Sequence, residues 1–184
     1  MNHLMIDIET LGTQPNAPII AIGAVFFDPD TGELGAELDT HISLITAMKN
    51  RPADPNTLRF WMNQSDEARH AMTSGDKPLD AALSTLANMI RQHTDPDQRL
   101  KVWANGPSFD LTILKHAYHQ YNMNAPWPYN ADRDVRTICD LAAPNIDRNE
   151  FTFNGEPHCA LDDAKHQVKY VSAMWQHIKG DING

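Results

Sequence analysis

The chain predicts an α/β fold, a mixed β-sheet flanked by α-helices. Three observations carry this expectation. Apolar runs separated by turn chemistry fill the N-terminal quarter, helical periodicity recurs from Ser65 onward, and a short apolar run, Leu100–Ala104, interrupts the helical part as a strand would. The 184 residues suit one domain spanning 1–184, and a 41% apolar composition supplies a core. Charged residues at 21%, with Pro and Gly dispersed, leave no long disordered block.

Each element has its own justification. Residues 3–9 read as a buried strand, with Leu4, Met5, Ile6 and Ile8 surrounding Asp7 and Glu9. Residues 19–27, Ile-Ile-Ala-Ile-Gly-Ala-Val-Phe-Phe, form a second strand, and Asp28-Pro29-Asp30-Thr31-Gly32 has turn chemistry. Glu37–Ser43 returns as a third strand and completes an antiparallel meander. Ser65-Asp66-Glu67-Ala68 opens a helix with early acidic residues. Over 79–92, Leu79, Leu83, Leu86 and Ile90 mark one helix face. Asp110–Tyr121 is helical through Leu111, Leu114, Tyr118 and Tyr121, and Val135–Ala142 through Val135, Ile138, Leu141 and Ala142. The last helix starts near Leu161 and carries Ala164, Val168, Val171, Trp175 and Ile178 on one stripe. Asn124–Asp134, with Pro126 and Pro128, reads as an ordered loop near the site. No internal repeat, low-complexity tract or linker is visible.

The formal net charge of −9 argues against a protein that coats a nucleic acid through a broad basic face. A short footprint whose local field is reversed by bound cations remains compatible with it. The first residues lack a basic n-region and an apolar h-region, and no apolar run reaches the roughly 20 residues that span a bilayer. Cys139 and Cys159 suggest no disulfide framework. No membrane association and a cytoplasmic location are expected.

Three acidic clusters, far apart in the chain, fit one metal site. Asp7 and Glu9 lie two apart in a strand, so both reach one face while Ile6 and Ile8 turn to the core. Asp110 ends Asn-Gly-Pro-Ser-Phe-Asp at a predicted helix start, where the helix dipole favours negative charge. Asp163 falls in the first turn of the last helix, five residues after His158 in the preceding loop. Carboxylate oxygens are hard ligands that suit Mg2+ or Mn2+, and two such ions stabilise the attacking and leaving oxygens of an in-line displacement at phosphorus. Taken singly, a D-x-E near a strand, an aspartate at a helix start and a lone histidine are weak evidence. Their conjunction, each at the end of an element, carries the argument.

With these motifs the chain resembles the DEDD exonuclease superfamily, in the branch with a catalytic histidine (DEDDh), whose members share a ribonuclease H-like fold. The resemblance runs from Asp7 to the last helix and maps onto Asp7, Glu9, Asp110, His158 and Asp163, with H-x-A-x-x-D selecting Asp163 over Asp162. Trp103–Asp110, Arg133-Asp134-Val135-Arg136-Thr137 and His158–Asp163 are similar to small 3'–5' exoribonuclease-like proteins of mycobacteria, phages and prophages, some labelled exodeoxyribonuclease VIII-like. This implies a 3'–5' exonuclease holding two Mg2+ or Mn2+ ions on Asp7, Glu9, Asp110 and Asp163, with His158 as general base, acting on RNA or DNA with a 3' end. Thr10 and Leu11 follow the acidic pair where family members bind the terminal nucleotide, Thr10 toward the 3' hydroxyl and Leu11 as a wedge against the last base. Arg133 and Arg136 are candidate phosphate ligands. Phe109 and Trp127 offer base-stacking surfaces, whereas Trp103, in a strand, belongs to the core. Homodimers are common among related small exonucleases, so the resemblance admits one. The alternatives are a nucleic-acid-binding module of the same fold without turnover, and a phosphatase for small esters.

Overall fold

β1 (His3–Thr10) is the middle strand of a five-stranded sheet ordered β3-β2-β1-β4-β5. The computed structural model describes residues 1–143 and 145–183, with side chains described through 180 except at 144. β2 (Ile19–Phe27) pairs antiparallel with β1, setting Asp7 opposite Gly23 and Ile8 opposite Ile22. β3 (Leu34–His41) continues the antiparallel meander, while β4 (Lys101–Ala104) and β5 (Asp132–Asp134) run parallel to β1. The sheet is therefore mixed, as predicted.

Two strand expectations are corrected. The third strand spans Leu34–His41 rather than Glu37–Ser43. Ser43 has left the ladder, since its N–H donates to the Lys77 carbonyl at 2.9 Å, outside β2. Within the segment Asn124–Asp134, expected to be loop throughout, residues 132–134 form β5. Asp-Arg-Asp carries no apolar run, and only parallel pairing with Val102, Trp103 and Ala104 reveals it as a strand.

Among the described residues, seven α-helices follow or separate the strands: α1 (Leu44–Ala47), α2 (Pro55–Met62), α3 (Asp66–Ser74), α4 (Leu79–His93), α5 (Asp110–Gln120), α6 (Val135–Ala142) and α7 (Ala160–Asn183). α2 was not anticipated. Its start is nonetheless well specified, with Pro55 in the first turn and Asp54 Oδ1 accepting from the Asn56 and Thr57 amides at 2.8 and 2.9 Å. Only Trp61 of its eight residues is buried, so no apolar stripe announces it. α3 begins where expected, capped by Ser65 Oγ on the Ala68 amide. In α6, Val135, Ile138 and Ala142 are buried, but Leu141 is 69% exposed and does not share their face.

Strand alternation splits the interior in two. Leu4, Ile6 and Ile8 of β1 face the core built with α4 and α5, and Met5 faces the one built with α6 and α7. Asp7 and Glu9 share the parity of Met5 and therefore point to the α7 side. Among the described residues, no helix is long and apolar enough to cross a membrane.

Candidate active site

Beyond Met5, the α7 face of β1 turns from apolar to acidic, and α7 reaches it because of a glycine. A Cβ on Gly23, the β2 neighbour of Asp7, would lie 2.1 Å from the Ala160 carbonyl carbon and 2.2 Å from the Leu161 nitrogen. The missing side chain lets the first turn of α7 rest on the sheet, which carries Asp163 to the acidic pair. One turn further along α7, the buried Gln167 donates from Nε2 to Asp7 Oδ1 at 2.8 Å. Asp110 arrives from the other side of the strand end. It is 4% exposed, and its Oδ1 accepts from the Ile8 amide at 3.3 Å, joining the start of α5 to β1.

The loop before α7 holds the histidine. His158 has φ +67°, a left-handed conformation that non-glycine residues adopt at a cost. Two adjacent aspartates hold this turn. Asp163 Oδ2 accepts from the His158 amide and Asp162 Oδ2 from the Glu156 amide, each at 3.0 Å. The imidazole meets the rings of Phe60 and Trp61 edge-on, with centroids 5.2 and 6.0 Å away. Donor atoms of Glu9, His158 and Asp163 all lie within 4.8 Å of one another.

The electrostatics fit a cation site. Burial, followed by the charges of Asp7, Asp163 and Asp110, pushes the Glu9 carboxyl up to about 9. Burial, then Asp110 and Asp163, raises Asp7 well above the carboxylate range, and the Gln167 hydrogen bond only partly opposes this. Asp110 is lifted to about 7 by burial, against the Ile8 amide and the Arg136 charge. Burial also raises Asp163. Four oxygen-donor carboxylates that repel one another in a desolvated cleft, with an imidazole at the rim, form a donor set suited to hard divalent ions.

A pH prediction follows from these directions. The folded pKa values exceed the unfolded ones, so the native state binds the extra protons and stability falls as pH rises from about 4 toward 9. In chelator, thermal midpoints are expected to be lower at pH 8.5 than at pH 5.5. Mg2+ or Mn2+ should raise the midpoint more at the higher pH. A midpoint insensitive to divalent ions at both pH values would contradict the electrostatic reading.

Beside the carboxylates, a cavity of about 530 Å3 is lined by Glu9, Thr10, Asn56, Phe60, Trp61, Phe109 and His158, among others. Thr10 is buried. Its hydroxyl donates to the Gly12 carbonyl at 2.7 Å, and its carbonyl accepts from Trp61 Nε1 at 2.9 Å. The structure thus gathers Asp7, Glu9, Asp110, His158 and Asp163, with Thr10 and Phe109 on the adjoining cavity. Arg136 is also close, since its Cζ lies 3.3 Å from where a Cβ on Gly106 would stand.

Three of the candidate substrate-binding residues are placed apart from this cavity. Leu11 is 2% exposed in the core, its backbone bonded to Pro18 and Asp54, so it presents no wedge. Trp127 is 5% exposed and packs edge-on against Tyr118 at 6.1 Å, so it has no free face for a base. Arg133 donates from one nitrogen to the carbonyls of Asn130, Ala131 and Asp132 and sits beside Trp103 in β5, away from the carboxylates. Trp103 is core, as expected. Sequence reasoning missed Gly23, Gln167, Phe60 and Trp61. A glycine inside an apolar strand was the available signal for close backbone approach, and Gln167 lies one helical turn after Asp163 on the same face.

The family described as the 3'–5' exoribonuclease Rv2179c-like domain matches residues 2–175. An exodeoxyribonuclease of Enterobacteria phage T4 is 27% identical over 124 residues, covering 62% of this chain and 54% of the phage protein, so the match spans about half the length of that relative. The nuclease domain of 3'hExo, a DEDDh family member bound to rAMP, superposes with a TM-score of 0.64 at 15% identity, covering 95% of this chain and 92% of that one. Cell-death related nuclease 4 (CRN-4) gives 0.67 at 15%, covering 95% and 64%. Exonuclease I of E. coli in complex with a dT13 oligonucleotide gives 0.59 at 16%, covering 96% and 40%. These structures share the ribonuclease H-like fold of the DEDDh nucleases. With a family match over nearly its whole length, the chain belongs to the Rv2179c-like 3'–5' exoribonuclease family.

Proposed function

We propose that the chain removes nucleotides one at a time from the 3' end of single-stranded RNA or DNA, or of a 3' overhang, releasing nucleoside 5'-monophosphates. The observation that carries this reading is the convergence of four carboxylates and His158 at the mouth of an aromatic cavity. Asp7, Glu9, Asp110 and Asp163 would hold two Mg2+ or Mn2+ ions. Such ions, when bound, polarise the phosphate and lower the pKa of water. His158, placed by the Asp163 contact to its own amide, accepts the proton of the attacking water. Water oxygen bonds to phosphorus, the P–O3' bond breaks, and the shortened strand leaves with a new 3' hydroxyl. Gln167 holds one oxygen of Asp7 and leaves the other for ligation. Phe60, Trp61 and Phe109 offer faces and edges for the terminal base, and Thr10, which lines the same cavity, would take the 3' hydroxyl. Arg136, next to Asp110, takes a phosphate oxygen.

Digestion of matched 5'-labelled RNA and DNA strands with Mg2+ and with Mn2+ tests this reading. A ladder shortening from the 3' end and released mononucleotides are expected. Binding without release would favour the alternative of a module that has lost turnover. His158→Ala is expected to lower kcat by about 10²–10⁴-fold while keeping the thermal shift given by Mn2+. An unchanged kcat would remove His158 from the role of base.

A further inference from the structure

α2 buries one of its eight residues, Trp61, so it adds little to the core, and its bonds run elsewhere. At its start the Asp54 amide donates to the Leu11 carbonyl at 2.7 Å. Near its end the buried Trp61 donates from Nε1 to the Thr10 carbonyl at 2.9 Å. The helix is thereby fixed twice to the end of β1, just past Glu9. Beyond it, Ser65 Oγ donates to Glu156 Oε1 at 3.1 Å, in the loop that carries His158. The Asp163 and Asp162 carboxylates fix the backbone of that loop, which leaves the two torsions of the imidazole to its neighbours. A general base is ordinarily oriented by a hydrogen bond to its second ring nitrogen. Among the described residues, His158 bonds through its backbone amide, and neither ring nitrogen makes a hydrogen bond. Its ring meets Phe60 and Trp61 instead, near-perpendicular at 5.2 and 6.0 Å. Phe60 is half-exposed, so the fixed wall of the two is the indole.

Resting on the exonuclease reading, we propose that Trp61 is a positioning residue for the reaction, its indole setting the imidazole of His158 relative to the carboxylate of Glu9. The N–H of the indole is tied to the residue that follows Glu9, and its ring meets the imidazole. One rigid side chain thus spans the strand that carries the acids and the loop that carries the base. Perpendicular aromatic contacts favour one ring orientation over the others. Donor atoms of Glu9, His158 and Asp163 lie within 4.8 Å of one another, and at that spacing a turn of the ring takes its nitrogen out of reach of a water beside Glu9. The role accounts for a helix that buries a single side chain and is yet bonded at both ends to the site. Trp61 also lines the cavity for the terminal base, so the separation of kcat from KM is the informative readout.

The test uses the full chain. In the ion-free wild type, nuclear Overhauser contacts are expected between the His158 imidazole and the Trp61 indole, with the imidazole signals assigned by their loss in His158→Ala. Their absence would overturn the proposal whatever any variant does. Trp61→Phe keeps an aromatic ring and removes the bond to Thr10. It is expected to lower kcat by about tenfold, as a small displacement of a catalytic group does, with KM within about threefold and the thermal shift given by Mn2+ retained. On a His158→Ala background the same change should cost less than about twofold, since the group it positions is gone. A tenfold loss on both backgrounds, an unchanged kcat in Trp61→Phe, or loss of its Mn2+ shift would each overturn the proposal alone. No release of mononucleotides by the wild-type chain, with the Overhauser contacts present, would overturn the exonuclease reading beneath it.

Discussion

Asp7→Asn is expected to lower exonuclease activity by about 10³-fold, the scale of the several kcal/mol of transition-state stabilisation that metal ions contribute. The geometry explains why an isosteric change costs so much. Gln167 Nε2 donates to Oδ1 of Asp7. An asparagine that keeps this bond with its carbonyl must turn its NH2 toward the cations, and that group has no lone pair to offer. If it flips, it faces the glutamine donor with a donor. The loss would not come from unfolding. Asp7 is a buried carboxylate raised by burial and by Asp110 and Asp163, so neutralising it relieves repulsion in the ion-free protein. The variant should therefore melt higher than wild type in chelator at pH 8.5 and respond less to Mn2+. Near-normal activity in Asp7→Asn would remove Asp7 from the metal-ligand set.

Gly23→Ala should damage both fold and site. The added methyl group would lie 2.1–2.3 Å from the Ala160 carbonyl group and the Leu161 nitrogen, which are backbone atoms that no side-chain rotation can clear. β2 and the first turn of α7 must separate. Overpacking of this kind costs about 1–3 kcal/mol. The same displacement moves Asp163 and the His158 turn away from Asp7, and a shift of about 1 Å in such groups can cost about 10²-fold in rate. Gly180→Ala serves as the contrast. Among the described residues, nothing outside the backbone of its own helix lies within 4 Å of a Cβ there, and alanine in a helix is favoured over glycine by about 1 kcal/mol, so stability should hold or rise with activity intact. Wild-type activity and melting temperature in Gly23→Ala would contradict the close approach of α7 to the sheet.

What could be read in the sequence tracks where the physics is local. β1 and β2 declare themselves by apolar runs, and α4 by Leu79, Leu83, Leu86 and Ile90, all buried as the spacing requires. That Asp7, Glu9, Asp110, His158 and Asp163 come together could be anticipated because the two-residue spacing puts Asp7 and Glu9 on one face of β1, Asp110 opens α5 and Asp163 lies in the first turn of α7. The errors concern depth and partnership. Leu11 and Trp127 look available in a linear reading, yet burial is decided by neighbours from other elements, Pro18 and Asp54 for one and Tyr118 for the other. Arg133 and Arg136 are equivalent in the sequence. Only the fold sends one back onto its own strand and the other over Gly106. β5 has no intrinsic strand signal and exists through its neighbour β4. α2 carries good start signals but buries a single residue, so periodicity could not find it. That helix supplies Phe60 and Trp61, and the cavity they line stayed invisible with it.

The most direct test is a calorimetric titration of the wild-type chain with Mn2+ at pH 8, repeated on Asp7→Asn. Two ions per chain are predicted for the wild type in the presence of a nucleoside 5'-monophosphate, with protons released as the elevated carboxyls ionise, and a clear loss of binding in the variant. No Mn2+ binding by the wild type, or equal binding by both proteins, would contradict the assignment of this carboxylate cluster as the catalytic metal centre.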